Sequence, residues 1–280
     1  MSVRPDGAGA ILPSLDAQFS PSDISMNLTM CGLLVEQAEE LARLYATHRE
    51  WTAVESRWFE ERHDGRSTRD SSRKVYRILS SRFKTAGQSL PATSRLPTVF
   101  DQCETRRDRA QVLYFYLVMD DPLVRFVVHE YVSRLHQQGS DGLDFAQETI
   151  ETILDDFRYV DGTTLDYAES TIERWGQGFR SVMRDIGVLE TQQTTRGQTP
   201  NVGTVPLLVA AGYSWEQQGP EWLSTPSGWL SLFQQERHWN SLVERLAAHD
   251  HWDVRSLPGD VRLRPLGETY AWADPREGDT

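Results

Sequence analysis

Along most of this chain the apolar positions recur at intervals of three and four, the spacing that gathers side chains on one face of an α-helix. Leu34, Ala38, Leu41 and Tyr45 form one such stripe, and Trp51, Val54 and Trp58 a second. After Gly65 comes Ser67-Thr68-Arg69-Asp70, in which Ser67 can cap a helix and an acid follows three residues later, so a third helix is expected over about 68–84. Asp108 to Met119 is apolar nearly all round and predicts a central buried helix. Asp121-Pro122 offers an N-cap and a proline at the first helical position for a helix from Leu123 to Gln137. Another is expected from Leu143 to Phe157. The clearest runs from about Leu165 to Ile186, where Ile172, Trp175, Phe179, Val182, Met183 and Ile186 share one arc and Gly187 stands where a left-handed cap belongs.

The pattern changes toward the C-terminus. A helix is expected around Trp239 to Ala248; beyond it Trp252 to Leu257 and Val261 to Leu266 alternate with period two around Pro258-Gly259-Asp260, which reads as a β-hairpin. Residues 1–23 are rich in Gly, Pro, Ser and Ala without periodicity and read as a disordered arm, and the polar stretch 191–204 reads as a linker. The expected fold is mainly α. A helix-turn-helix-like trihelical unit occupies 24–88, a helical bundle 89–190, and a helix with a winged-helix-like hairpin 205–280.

Charge narrows the function. The chain carries a formal net charge of −12, so its mean field repels phosphate and any contact with nucleic acid must be local. Its longest apolar runs, Val112 to Met119 and Val205 to Tyr213, are too short to cross a bilayer, and the N-terminus lacks the apolar core of a secretory signal; a cytoplasmic protein is expected. Cys31 and Cys103 read as buried thiols.

One segment contradicts the overall charge. From Arg57 to Lys84 there are nine Arg/Lys against four Asp/Glu, and both lysines of the chain, Lys74 and Lys84, fall in it. On a helical wheel Arg66, Arg69, Arg73, Arg77 and Lys84 lie within roughly a quarter of the circumference while Val75, Ile78 and Leu79 point the other way. A cationic helix closing a trihelical unit is how helix-turn-helix proteins meet the major groove, which makes Arg66, Arg69, Arg73, Lys74, Arg77 and Lys84 candidate phosphate contacts. The bland alternative is a solvated face paired with acidic neighbours.

Other chemistry finds little support. Asp144, Glu148, Glu151 and Asp155 make an acidic stripe that suits a solvated helix face or a basic partner. His249 and His251 have no third ligand nearby in sequence, so no metal is expected. There is no P-loop or GxSxG elbow, and Gly176-Gln177-Gly178 lies inside a helix, where it cannot cradle a phosphate. A non-enzymatic binding protein without cofactors is the expectation.

Leu28-Thr29-Met30-Cys31-Gly32-Leu33-Leu34-Val35-Glu36, the Trp51 helix, Arg77-Ile78-Leu79-Ser80-Ser81-Arg82-Phe83, Glu169-Ser170-Thr171 and Met183-Arg184-Asp185-Ile186-Gly187-Val188-Leu189 together resemble BrxA, the small accessory protein of BREX (bacteriophage exclusion) systems. The resemblance covers about residues 26–190. It implies a mainly helical two-part fold, binding to double-stranded DNA, no known cofactor, and work beside the BREX methyltransferase, phosphatase-like and ATPase components. A protein–protein adaptor of the same defence complex is the competing reading.

Overall fold

Helices form where the apolar spacing is helical in the computed structural model, which describes residues 19–29, 31–61, 68–85, 89–257 and 260–274. In chain order they are α1 (Val35–His48), α2 (Trp51–Glu61), α3 (Arg69–Thr85), α4 (Leu96–Asp101), α5 (Arg106–Asp120), α6 (Pro122–Gln138), α7 (Gln147–Asp155), α8 (Glu169–Asp185), α9 (Thr204–Gln218), α10 (Ser227–Ser231) and α11 (Glu236–Ala247). Strands β1 (Trp252–Leu257) and β2 (Asp260–Pro265) then pair antiparallel, with Trp252 opposite Pro265 and Arg255 opposite Arg262. The described residues are mainly helical with a small two-stranded antiparallel sheet near the C-terminus, as the patterning predicts.

Helix α5 is the axle. It has no polar face over Ala110–Val118, so it must be surrounded, and α1, α3, α6, α8 and α9 pack around it. Thr105 and Asp108 form a reciprocal capping box at its start. Gln111, fully buried, donates from Nε2 to the carbonyls of Ile186 (3.0 Å) and Asn201 (2.9 Å), tying the end of α8 and the approach to α9 to the same helix. The buried residues form one continuous core from Ile24 to Ala273.

Helix α8 explains the two glycines of Gly176-Gln177-Gly178. A Cβ at Gly178 would stand well inside contact distance of the Leu28 carbonyl oxygen, and one at Gly176 would meet the Gln147 side chain. The glycines let the helix backbone lie directly against the 27–29 turn and α7. Gly187, at φ +86°, ends the helix in the expected left-handed conformation, with the Val188 amide donating to the Met183 carbonyl at 2.8 Å.

Several expectations need correction. The helix expected from Leu143 begins only at Gln147, because Leu143–Phe145 instead exchange hydrogen bonds with Thr195 and Gly197 around an Asp144–Arg196 bridge. Helix α8 likewise begins at Glu169 rather than near Leu165. The stretch read as a linker is therefore held to the helical body by that bridge, by the Gln198 amide on the Val188 carbonyl (2.9 Å) and by Gln111. At the other end, residues 1–18 of the expected arm lie outside the described residues. Phe19 packs on the core and its carbonyl accepts from the Val160 amide at 3.0 Å. No described helix is long and apolar enough to cross a membrane.

The hairpin is held by tryptophans. Trp252 and Leu263 are buried, and the Trp222 indole donates to the Leu263 carbonyl at 2.9 Å. The Trp222 ring meets those of Trp229 and Trp252 at centroid distances of 5.1 and 5.6 Å.

Candidate nucleic-acid interface

The basic segment folds as α3. Thr68 caps it, its hydroxyl accepting from the Ser71 amide at 3.2 Å. The inner face, Val75, Tyr76, Ile78, Leu79 and Phe83, packs on α1, α2 and α5, with the Phe83 ring edge-on to Tyr116 at 5.5 Å. The C-terminal half is pinned by Ser81 and Thr85, whose hydroxyls both donate to Asp120 Oδ1, at 2.8 and 2.9 Å. A helix fixed along one side in this way presents its other side rigidly.

The exposed surface of the helix carries Arg69, Arg73, Arg77 and Lys84 on one face, with Lys74 beside them on the stripe of Ser81 and Thr85. Arg66 lies outside the described residues. Among the described residues only one of the five has a carboxylate within 4 Å: Arg73, whose Nη1 is 3.9 Å from Asp70. Lys84 is engaged differently, its Nζ standing 4.9 Å over the Trp51 ring as a cation–π contact. From Arg69 to Arg77 the helix rises about 12 Å, close to the width of the DNA major groove. Residues 62–68 connect α2 to α3, longer than the three- or four-residue turn of a helix-turn-helix. Acidic neighbours are present too, since α2 exposes Glu55, Glu60 and Glu61, and Arg57 is paired within that helix to Glu60 and Glu61.

Arg82, one of the nine basic residues of the segment, belongs to the interior. It is 3% exposed and donates from Nη1 to the Gly32 carbonyl at 2.9 Å, while Nε and Nη2 have no hydrogen-bond partner among the described residues. Burial pushes its pKa down. Nearby Asp121 caps α6, accepting from the amides of Leu123 (3.1 Å) and Val124 (3.2 Å), and burial raises its carboxyl to about 6.

The remaining candidates are ordinary. Cys31 and Cys103 are both buried, and burial pushes the Cys103 thiol up to about 12. The acidic stripe is broken, because Asp144 precedes α7 and its carboxylate accepts from the Ala146 amide at 3.2 Å. The His249 and His251 rings lie 5.4 Å apart, and no group of three or more metal-ligating side chains gathers among the described residues. Sequence reasoning passed over the arginines of the hairpin, Arg255, Arg262 and Arg264, which line a cleft with Trp215. Their signal was the alternation of Arg at 262 and 264 on an expected strand.

A family model described as BrxA matches residues 23–201 of this chain. No curated protein matches it.

Proposed function

Because the chain belongs to the BrxA family, whose members are accessory proteins rather than a known enzyme family and whose membership points to a role in BREX-associated phage defence, we propose that it binds double-stranded DNA through α3. The observation that carries this reading is the one-sided helix: an apolar face locked into the core and an exposed surface offering Arg69, Arg73, Lys74, Arg77 and Lys84 to solvent. Guanidinium and ammonium groups on a fixed face neutralise phosphates without reading bases, so binding tolerates any sequence and responds to salt. In a chain of net charge −12, affinity is modest and confined to this face. On this reading the protein works cytoplasmically without cofactor, beside the methyltransferase, phosphatase-like and ATPase components.

The carboxylates on α2 favour a second reading, an adaptor whose mixed-charge surface docks another defence subunit. A gel-shift titration of duplex DNA at several salt concentrations separates the two. With about four phosphate contacts, log affinity falls against log salt with a slope near −3.6. The adaptor instead gives negligible duplex binding and retention of a BREX subunit in a pull-down.

A further inference from the structure

The C-terminal hairpin lies beyond the residues matched by the family model, and one of its faces has a composition that packing does not require. Strand register sets Arg255 directly opposite Arg262 and Asp253 opposite Arg264. Two like charges directly opposed across an antiparallel pair cost stability. Asp253 partly offsets this: its Oδ2 accepts from Nε of Arg264 at 3.0 Å and from Nε of Arg255 at 3.2 Å. Both bonds use the inner Nε edge. The Nη groups of Arg255 and Arg264 make no hydrogen bond to any described residue, and the two side chains are 66% and 54% exposed. One carboxylate thus orients two guanidinium forks outward.

These arginines, with the Asp253 carboxylate they enclose, form one wall of a cleft of about 420 Å³, and Trp215 and Pro220 stand in its lining. That volume falls within the range of small-molecule sites. The hairpin wall of the cleft is anchored, because the Trp222 indole holds the Leu263 carbonyl behind it and Trp252 is buried beneath. A guanidinium fork recognises phosphate oxygens two at a time, and an indole face stacks on a nucleobase of any sequence. A carboxylate ligand would satisfy the arginines but leave the flat apolar wall unused.

We infer that this cleft is a nucleotide site, in which Arg255 and Arg264 hold the phosphate, Arg262 adds positive charge beside them, and Trp215 with Pro220 supports the base. The nucleotide is either free or part of a single strand. The inference is independent of duplex binding by α3.

The test titrates the full-length protein with thymidine 5′-monophosphate and with single-stranded oligothymidylate, by calorimetry. Both probes bind wild type if the free nucleotide suffices, and the oligomer alone binds if the site needs a strand. In either case the double variant Arg255→Gln/Arg264→Gln weakens binding at least about tenfold, from the loss of two charge-assisted contacts. Arg73→Ala/Arg77→Ala leaves mononucleotide binding and the oligomer-induced shifts at the hairpin unchanged while it flattens the salt slope of duplex binding, so failure here is distinguishable from failure of the α3 reading. Absence of binding of both probes to wild type at millimolar concentration, or equal affinity in the hairpin variant, overturns the inference. If the hairpin variant does not fold, amide and indole chemical shifts of unmodified protein decide. Changes induced by the binding probe at residues 252–265 and Trp215 support the site, and changes confined elsewhere overturn it.

Discussion

At Arg82 and Asp121 two groups of opposite charge are buried near one another without a direct ion pair, and their burial has opposite effects on their protons. Asp121 titrates near 6 in the folded protein, above the ordinary carboxyl value of 3.8, so the folded state holds that proton more tightly than the unfolded chain does. The stability this provides is complete below the unfolded value and is lost as pH rises through about 6. Asn at this position keeps the cap acceptor and cannot ionise. Asp121→Asn should therefore gain on wild type by at most about 3 kcal/mol between pH 4 and pH 7, read as the difference between two denaturation series. A difference that stays flat across that range would show the carboxylate to be unstrained. Gly178 poses a steric question instead. Gly178→Ala puts a methyl group into the Leu28 carbonyl, and a loss of roughly 2–4 kcal/mol in urea unfolding is expected, as for overpacking against backbone that cannot retreat.

At the scale of elements, α3 can lose cations without losing its place, since Val75, Ile78, Leu79 and the Asp120 contacts are untouched by changes at Arg73 and Arg77. Arg73→Ala/Arg77→Ala should leave the melting temperature within a few degrees and flatten the salt slope of duplex binding by roughly two units. An unchanged slope would remove α3 as the binding element. The amphipathic helices were legible because each buries one stripe and wets the other. On the same wheel Arg82 falls with Val75 and Ile78, so its burial was also legible; its partner, the Gly32 carbonyl fifty residues away, was not. Helix α9 escaped notice because its run from Val205 to Tyr213 is buried on every side and therefore has no period. The 191–204 stretch misled for another reason. Polar, Gly- and Pro-containing sequence looks alike whether it swings free or is bridged to Leu143 and Phe145.

Across the whole molecule, the family match ends at residue 201 while the core does not. Helix α9 packs on α5, with the Tyr213 and Phe115 rings 5.6 Å apart, and a Cβ at Gly203 would meet the Asp108 carboxylate. Truncation after residue 201 would uncover one side of a helix that has no polar face. Such a chain should lose its cooperative thermal transition and become sensitive to protease throughout, whereas a free-standing 23–201 unit would melt much as the full chain does. The hairpin's arginines needed this scale as well, because strand register, absent from any single segment, is what brings 255 and 262 together.

The placement of Lys74 and Lys84 has a practical consequence. Since the chain has no other lysine, the only side-chain amines open to acylation by an activated ester sit on α3. Mass spectrometry of the native protein then becomes a footprint of one helix without any mutation. Lys74 should acylate readily in the free protein, and Lys84, resting over Trp51, more slowly. Added duplex DNA should protect both if α3 meets the phosphates, whereas thymidine 5′-monophosphate, directed to the hairpin, should protect neither. Unaltered labelling under saturating duplex would place the contact elsewhere on the molecule.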